Sequence, residues 1–153
     1  MRCLLSTVTG HTTSSMPSSP RTSGSTTTIS GWVAVKPDSR YCIASRWLYG
    51  KTANRSFELD VDHGLLQFGL SSDGIKQFWV KSSTPVLTNS WTHMAAVSDG
   101  STMRLYIDGK LDKSTAPAPS TIHESGTKIQ LGQWYTSGSW LYLLKGRLDE
   151  IKI

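Results

Sequence analysis

The stretch SFELDVDHGLLQFGL, residues 56–70, carries the sharpest chemical signal in the sequence. Glu58, Asp60 and Asp62 stand two apart. On an extended chain that spacing puts three carboxylates on one face and Phe57, Leu59 and Val61 on the other. Carboxylates gathered this way can do acid/base chemistry, but they are also what the solvated face of an antiparallel strand looks like. The alternation favours the solvated face, with the three acids directed to water. His93, two residues after Trp91 in SWTHMAAVS, has no Ser or Cys nucleophile motif beside it and reads as a hydrogen-bonded strand residue.

A second set of residues suits binding better than catalysis. SRWLYGKTANRS (45–56) and GQWYTSGSWLYLL (132–144) concentrate aromatic rings beside polar side chains. Sugar rings lay their C–H faces on aromatic planes while amides and guanidinium groups bond the hydroxyls. Trp47, Tyr49, Trp134 and Trp140 are therefore the expected stacking contacts, with Arg46, Asn54, Arg55 and Gln133 as hydrogen-bonding partners. The competing role for each ring is to fill the core. Asn54-Arg55-Ser56 also fits the N-glycosylation pattern.

The elements that must position these residues are strands. From Thr26 onward, short runs rich in Val, Ile, Trp, Tyr and Leu are broken by turn residues every eight to twelve positions, and no apolar 3.6 period persists over three turns. Strands are expected at 26–35, 41–47, 56–62, 65–71, 76–81, 91–97, 103–108, 127–132 and 146–153. Asp62-His63-Gly64, Ser72-Asp73-Gly74, Asp99-Gly100 and Asp108-Gly109 supply the tight turns. Many short strands and almost no helix point to an all-β sandwich or barrel. Residues 1–25, dominated over much of their length by Ser and Thr, read as a weakly structured lead-in to one domain over 26–153.

Composition sets limits on function. Sixteen Lys and Arg against eleven Asp and Glu give +5, but the cations are scattered and form no run of the kind that tracks phosphates, so no nucleic acid is expected as partner. Cys3 and Cys42 are too few for a disulfide framework and lack a C-x-x-C spacing; Cys42 sits in an apolar run and reads as a small buried hydrophobe. No stretch is long and apolar enough for a membrane span, and Cys3-Leu4-Leu5 is too brief for an export signal.

Four stretches in order, TTTISGWVAVKPDS (26–39), SFELDVDHGLLQFGL (56–70), NSWTHMAAVSDGSTMRLYIDGKL (89–111) and GRLDEIKI (146–153), resemble the laminin-G-like and pentraxin-like branch of the concanavalin A-like lectin and glucanase superfamily. That resemblance implies an antiparallel, two-sheet jelly-roll β-sandwich. It implies a non-catalytic carbohydrate-binding or adhesion module, extracellular or at a cell surface as part of a larger protein, whose partner is a glycan, a polysaccharide or a cell-surface or matrix protein. It requires no cofactor, although some relatives bind calcium where Asp149 and Glu150 fall, so a structural Ca2+ at that pair is a further expectation. Retaining β-glucanases of the superfamily carry Glu-x-Asp-x-Glu, which ELDVD resembles; the rival reading is thus a β-glucan hydrolase using Glu58, Asp60 and Asp62. Asp62 is one methylene short of the Glu that serves there as acid/base, and a retaining mechanism needs its two carboxyls about 5–5.5 Å apart. A third reading is a structural or protein-binding passenger domain with no glycan ligand. The matching opening strand, near His11–Met16, reads HTTSSM and lacks the family's acidic turn.

Overall fold

The computed structural model describes residues 26–36, 38–48, 53–87, 89–115, 117–136 and 138–153. The expectation for residues 1–25 lies outside them, as does Tyr49. Among the described residues the chain is all β, with no helix.

Two five-stranded antiparallel sheets face each other. The first, sheet A, joins β1 (Thr27–Val35), β6 (Thr92–Ser98), β7 (Met103–Ile107), β8 (Lys110–Thr115) and β12 (Gly146–Lys152) in the order β12-β1-β6-β7-β8. Sheet B joins β2 (Arg40–Trp47), β3 (Arg55–Asp62), β4 (Leu65–Ser71), β5 (Gln77–Pro85) and β9 (Gln130–Leu131) in the order β5-β4-β3-β2-β9. A separate hairpin, β10 (Trp134–Thr136) and β11 (Ser139–Leu141), lies between β9 and β12 along the chain. This is the two-sheet jelly-roll sandwich that the family resemblance implies, one of the two architectures, sandwich or barrel, that the strand punctuation allows.

Every second side chain fills the space between the sheets. Phe57, Leu59 and Val61 of β3 meet Ile29 and Val33 of β1, Met94 and Ala96 of β6 and Met103 and Leu105 of β7 in one apolar cluster. Burying side chains of this size contributes about 1.5–3 kcal/mol each, which is why period-two alternation decides which face turns inward. Asp112 of β8 fastens the layers at one edge by accepting the backbone N–H groups of Ser83 and Thr84 at 2.6 and 3.0 Å.

The sequence misjudges three elements. Strand β8 follows the Asp108-Gly109 turn, but its KLDKST sequence has a single large apolar residue and gives no alternation to detect. The expected strand at 127–132 shrinks to two residues, Gln130 and Leu131. The β10–β11 hairpin is absent from the expected set, because its WYTSGSWL pattern is aromatic on both faces.

Candidate functional site

The site forms on the outer face of sheet B, where β2 and β3 are covered by the segment that leaves β9. Gly132, at φ 68°, turns the chain, and its N–H donates to the Ile43 carbonyl at 3.0 Å. The hairpin then folds across the sheet. It is held on return by Cys42 N–H, which donates to the Tyr142 carbonyl at 2.9 Å, and by Leu144 N–H, which donates to Gly132 at 2.8 Å. Tyr142 adopts a left-handed φ of 50°, a conformation with a cost for a residue bearing Cβ. Stacking of its ring on Trp134, with centroids 5.0 Å apart and planes at 17°, offsets that cost. Trp134 in turn donates its indole N–H to the Trp47 carbonyl at 2.7 Å. Beside them the Trp79 ring lies flat over Gly69, where a Cβ would come within 2.6 Å of it; only glycine leaves room.

Under this cover lie Glu58 and Asp60. Both are fully buried, so the expectation of a solvated carboxylate row is corrected: of the three acids only Asp62 reaches water. Alternation correctly separates the row from Phe57, Leu59 and Val61. It cannot show that a hairpin distant in sequence packs on the second face as well.

Arg40 holds the buried pair together. Its guanidinium bonds Asp60 Oδ2 through Nε at 2.9 Å and through a terminal nitrogen at 2.5 Å, and the same nitrogen reaches Glu58 Oε1 at 3.1 Å. The cation also lies 4.9 Å from the Tyr142 ring centroid and 5.9 Å from that of Trp134. Glu58 Oε2 and Asp60 Oδ1 receive no donor from the described groups, and two buried carboxylates side by side with one cation between them favour keeping a proton on one of the two. Burial first, then the charge of Asp60, pushes the Glu58 carboxyl well above the usual range. Burial raises Asp60 too, while Arg40 opposes it. The proton therefore resides on Glu58, and Arg⁺, Asp⁻ and neutral Glu form an uncharged buried trio. Burial, reinforced by Glu58, also keeps the Cys42 thiol protonated. Cys42 is buried, as its apolar context implies.

Asp62 behaves in the opposite way. It accepts from Gln67 at 2.6 Å, His63 at 2.8 Å and Lys81 at 3.1 Å. Partial burial is the largest single influence and raises it, but the hydrogen bonds and charges of His63 and Lys81 together outweigh burial, and the carboxyl stays below its ordinary value. At neutral pH it has no proton to donate to a leaving group.

The aromatic and polar residues separate into two groups. Trp47 and Trp134, expected as stacking contacts, are buried and form part of the cover. Arg55 is buried and donates to the Ile75 carbonyl at 3.1 Å. Arg46 donates through Nε to the Thr127 carbonyl at 3.0 Å, and the Asn54 carbonyl accepts from Leu48 N–H at 3.0 Å. Trp140 is 39% exposed, and Gln133 is half-buried next to the hairpin. Trp140 is paired across the hairpin with Tyr135, equally exposed, their centroids 4.7 Å apart. Tyr142 falls in the aromatic stretch 132–144 that the sequence singles out, whereas Arg40 and Trp79 carry no such signal. Arg40 precedes an apolar run as an ordinary strand flank, and no local pattern ties it to acids eighteen and twenty residues away.

His93 pairs with Trp32 on sheet A, the rings 5.1 Å apart edge to face, and its backbone N–H donates to Asp108 Oδ1 at 2.9 Å. Asp149 and Glu150 lie on β12. Asp149 Oδ1 accepts the Glu150 N–H at 2.9 Å, and no third His, Cys, Asp or Glu gathers with them among the described residues. Calcium wants six to eight oxygens, more than this pair supplies.

Two facing antiparallel sheets with one carboxylate-bearing outer face covered by a hairpin define a jelly-roll β-sandwich. The family described as the concanavalin A-like lectin/glucanases superfamily, laminin G type, matches residues 8–153, and the chain belongs to it. Solved structures agree in fold. The CBM40 domain of a Ruminococcus gnavus IT-sialidase, bound to α2,3 sialyllactose, is similar at 16% identity and a TM-score of 0.66, over 81% of this chain and 73% of that one. Mouse laminin α1 domains LG4-5 are similar at 13% identity and TM-score 0.68, over 87% of this chain and 36% of that one. A SAP-like pentraxin from Limulus polyphemus is similar at 16% identity and TM-score 0.61, over 82% and 61%. No curated protein matches the chain. No helix among the described residues is long and apolar enough to cross a membrane.

Proposed function

We propose that the protein is a non-catalytic carbohydrate-binding module, part of a longer extracellular or cell-surface protein, that holds its glycan on the β10–β11 hairpin. The observation that carries the reading is the exposed pair Tyr135 and Trp140, two tilted rings on a hairpin held rigidly at its base, with Gln133 beside them. Such rings supply C–H stacking at little cost in side-chain entropy, and a neighbouring amide supplies direction. The CBM40 neighbour, seen with sialyllactose, supports a sugar as the ligand class.

Two features speak against the hydrolase alternative. Glu58 and Asp60 have no solvent-accessible surface, and Asp62 is held ionised by its partners, so the general acid that a retaining mechanism needs is missing at that position. A glycan array of the whole chain tests the proposal. Binding to at least one glycan class should fall about tenfold or more for Trp140→Ala without a change in melting temperature. A chain that binds nothing on the array is the structural passenger instead. Release of reducing ends from a β-glucan panel would revive the enzyme. The reading requires no cofactor, and a structural Ca2+ at Asp149 and Glu150 is read from the same samples as a difference in melting between excess calcium and chelator.

A further inference from the structure

The run Trp140–Lys145, WLYLLK, leaves the hairpin and crosses from the outer face of sheet B to β12 of sheet A. Two of its side chains turn inward. Tyr142 stacks on Trp134, and Leu144 enters the core. The others face out: Trp140 is 39% exposed, Leu141 40% and Leu143 49%, followed by an exposed Lys145. An edge that met only water would carry polar residues at these outward positions. Here three large apolar side chains occupy them within four residues, and a sugar offers two leucines little to bury against.

Val35 pairs with Gly146 across β1 and β12, which brings Lys36 and Lys145 together beside this edge. Lys145 and Lys36, both exposed, lie close enough to the Asp38 carboxylate to act on it, and Asp38 is already engaged by the Tyr41 hydroxyl. Lysines around a Trp and Leu edge, on a chain of net charge +5, match an anionic lipid surface. The apolar side chains enter the boundary between headgroups and acyl chains, and the ammonium groups meet phosphate or carboxylate headgroups.

We propose that the Trp140–Lys145 edge, through Leu141, Leu143, Lys36 and Lys145, docks the domain on the surface of an anionic bilayer. It lies on the surface and does not span it. The inference does not rest on the glycan reading; the two surfaces meet at Trp140, and Leu141, Leu143, Lys36 and Lys145 belong to this edge alone.

Flotation of the whole chain with phosphatidylcholine vesicles, with and without phosphatidylserine, tests the proposal. Expected is binding to the phosphatidylserine vesicles that weakens with added salt. The double variant Leu141→Ser, Leu143→Ser should lose about tenfold or more of it, and Lys36→Glu, Lys145→Glu should lose both the binding and its salt dependence. If the double leucine variant fails to fold, judged by its melting curve, Leu143→Ser alone replaces it. Wild-type chain that leaves phosphatidylserine vesicles bare overturns the proposal. So does a leucine variant that binds as wild type, since adsorption is then only that of a basic protein. A dimer in dilute solution that the leucine substitutions dissolve would assign the edge to a second copy and overturn it as well. The same leucine variants should keep wild-type glycan-array signals, so a failure of lipid docking and a failure of sugar binding are read separately.

Discussion

The outer faces of the two sheets start from the same rule and end differently. On sheet A, β6 reads buried and half-buried in strict alternation from Thr92 to Ser98. Its face away from the core stays open, with Trp32 37% and Trp91 41% exposed and the Arg147 guanidinium 5.0 Å from the Trp91 ring. On sheet B, β3 is buried at every position from Arg55 to Val61. In both strands successive side chains point to opposite faces, but only β3 has a hairpin laid across its second face. Alternation thus identifies which side of a strand meets the core, and leaves open whether the other side meets water or more protein.

Truncating one tryptophan on each face gives the widest contrast. Trp134→Ala removes the cover over Arg40, Glu58 and Asp60 and should cost about 3–5 kcal/mol in urea unfolding, whereas Trp32→Ala, on the open face, should cost less than about 1 kcal/mol. Equal losses would mean that the two faces are not as different as their burial implies. Removing the cation comes next. Arg40→Ala leaves Asp60 ionised and buried without its partner, and a loss of about 2–3 kcal/mol is expected, discounted because the Arg40 side chain is 22% exposed. A loss below about 0.5 kcal/mol would show that water reaches the trio.

The smallest effect is the most specific, because it reads the proton directly. Glu58 has a folded pKa above its unfolded value, so its contribution is full below the unfolded carboxyl range, near about pH 4.3, and is lost as pH rises toward the folded value. Glutamine mimics the protonated acid: it can donate to Asp60 and still accept from Arg40. Glu58→Gln should therefore stay within about 1 kcal/mol of wild type at neutral pH and gain on it as pH rises, in urea melts from pH 5 to 9. A variant that loses ground at high pH would place the charge on Glu58 and not on Asp60.

The pattern of what was legible follows from range. Turns at Asp62-His63-Gly64 and Asp108-Gly109 and the strands between them depend on neighbours a few residues apart, and they appear where the sequence places them, with Asp108 and Gly109 both at positive φ. The four stretches that carry the family resemblance lie within the matched region. The candidate site was legible only in part. Trp140 and Gln133 remain available at the surface, while Trp47, Trp134 and Arg55 are buried, and local sequence cannot tell an aromatic or guanidinium that meets solvent from one that seals a second layer.

The sequence by itself determined the strand period, the turn positions and the inward row of Phe57, Leu59 and Val61, because these follow from backbone geometry and the transfer of apolar surface out of water. Tertiary structure alone decided the fate of Glu58 and Asp60. Their environment comes from Arg40, Trp134 and Tyr142, eighteen to eighty-four residues away along the chain, and a carboxyl keeps or yields its proton according to the charges and water that surround it in space.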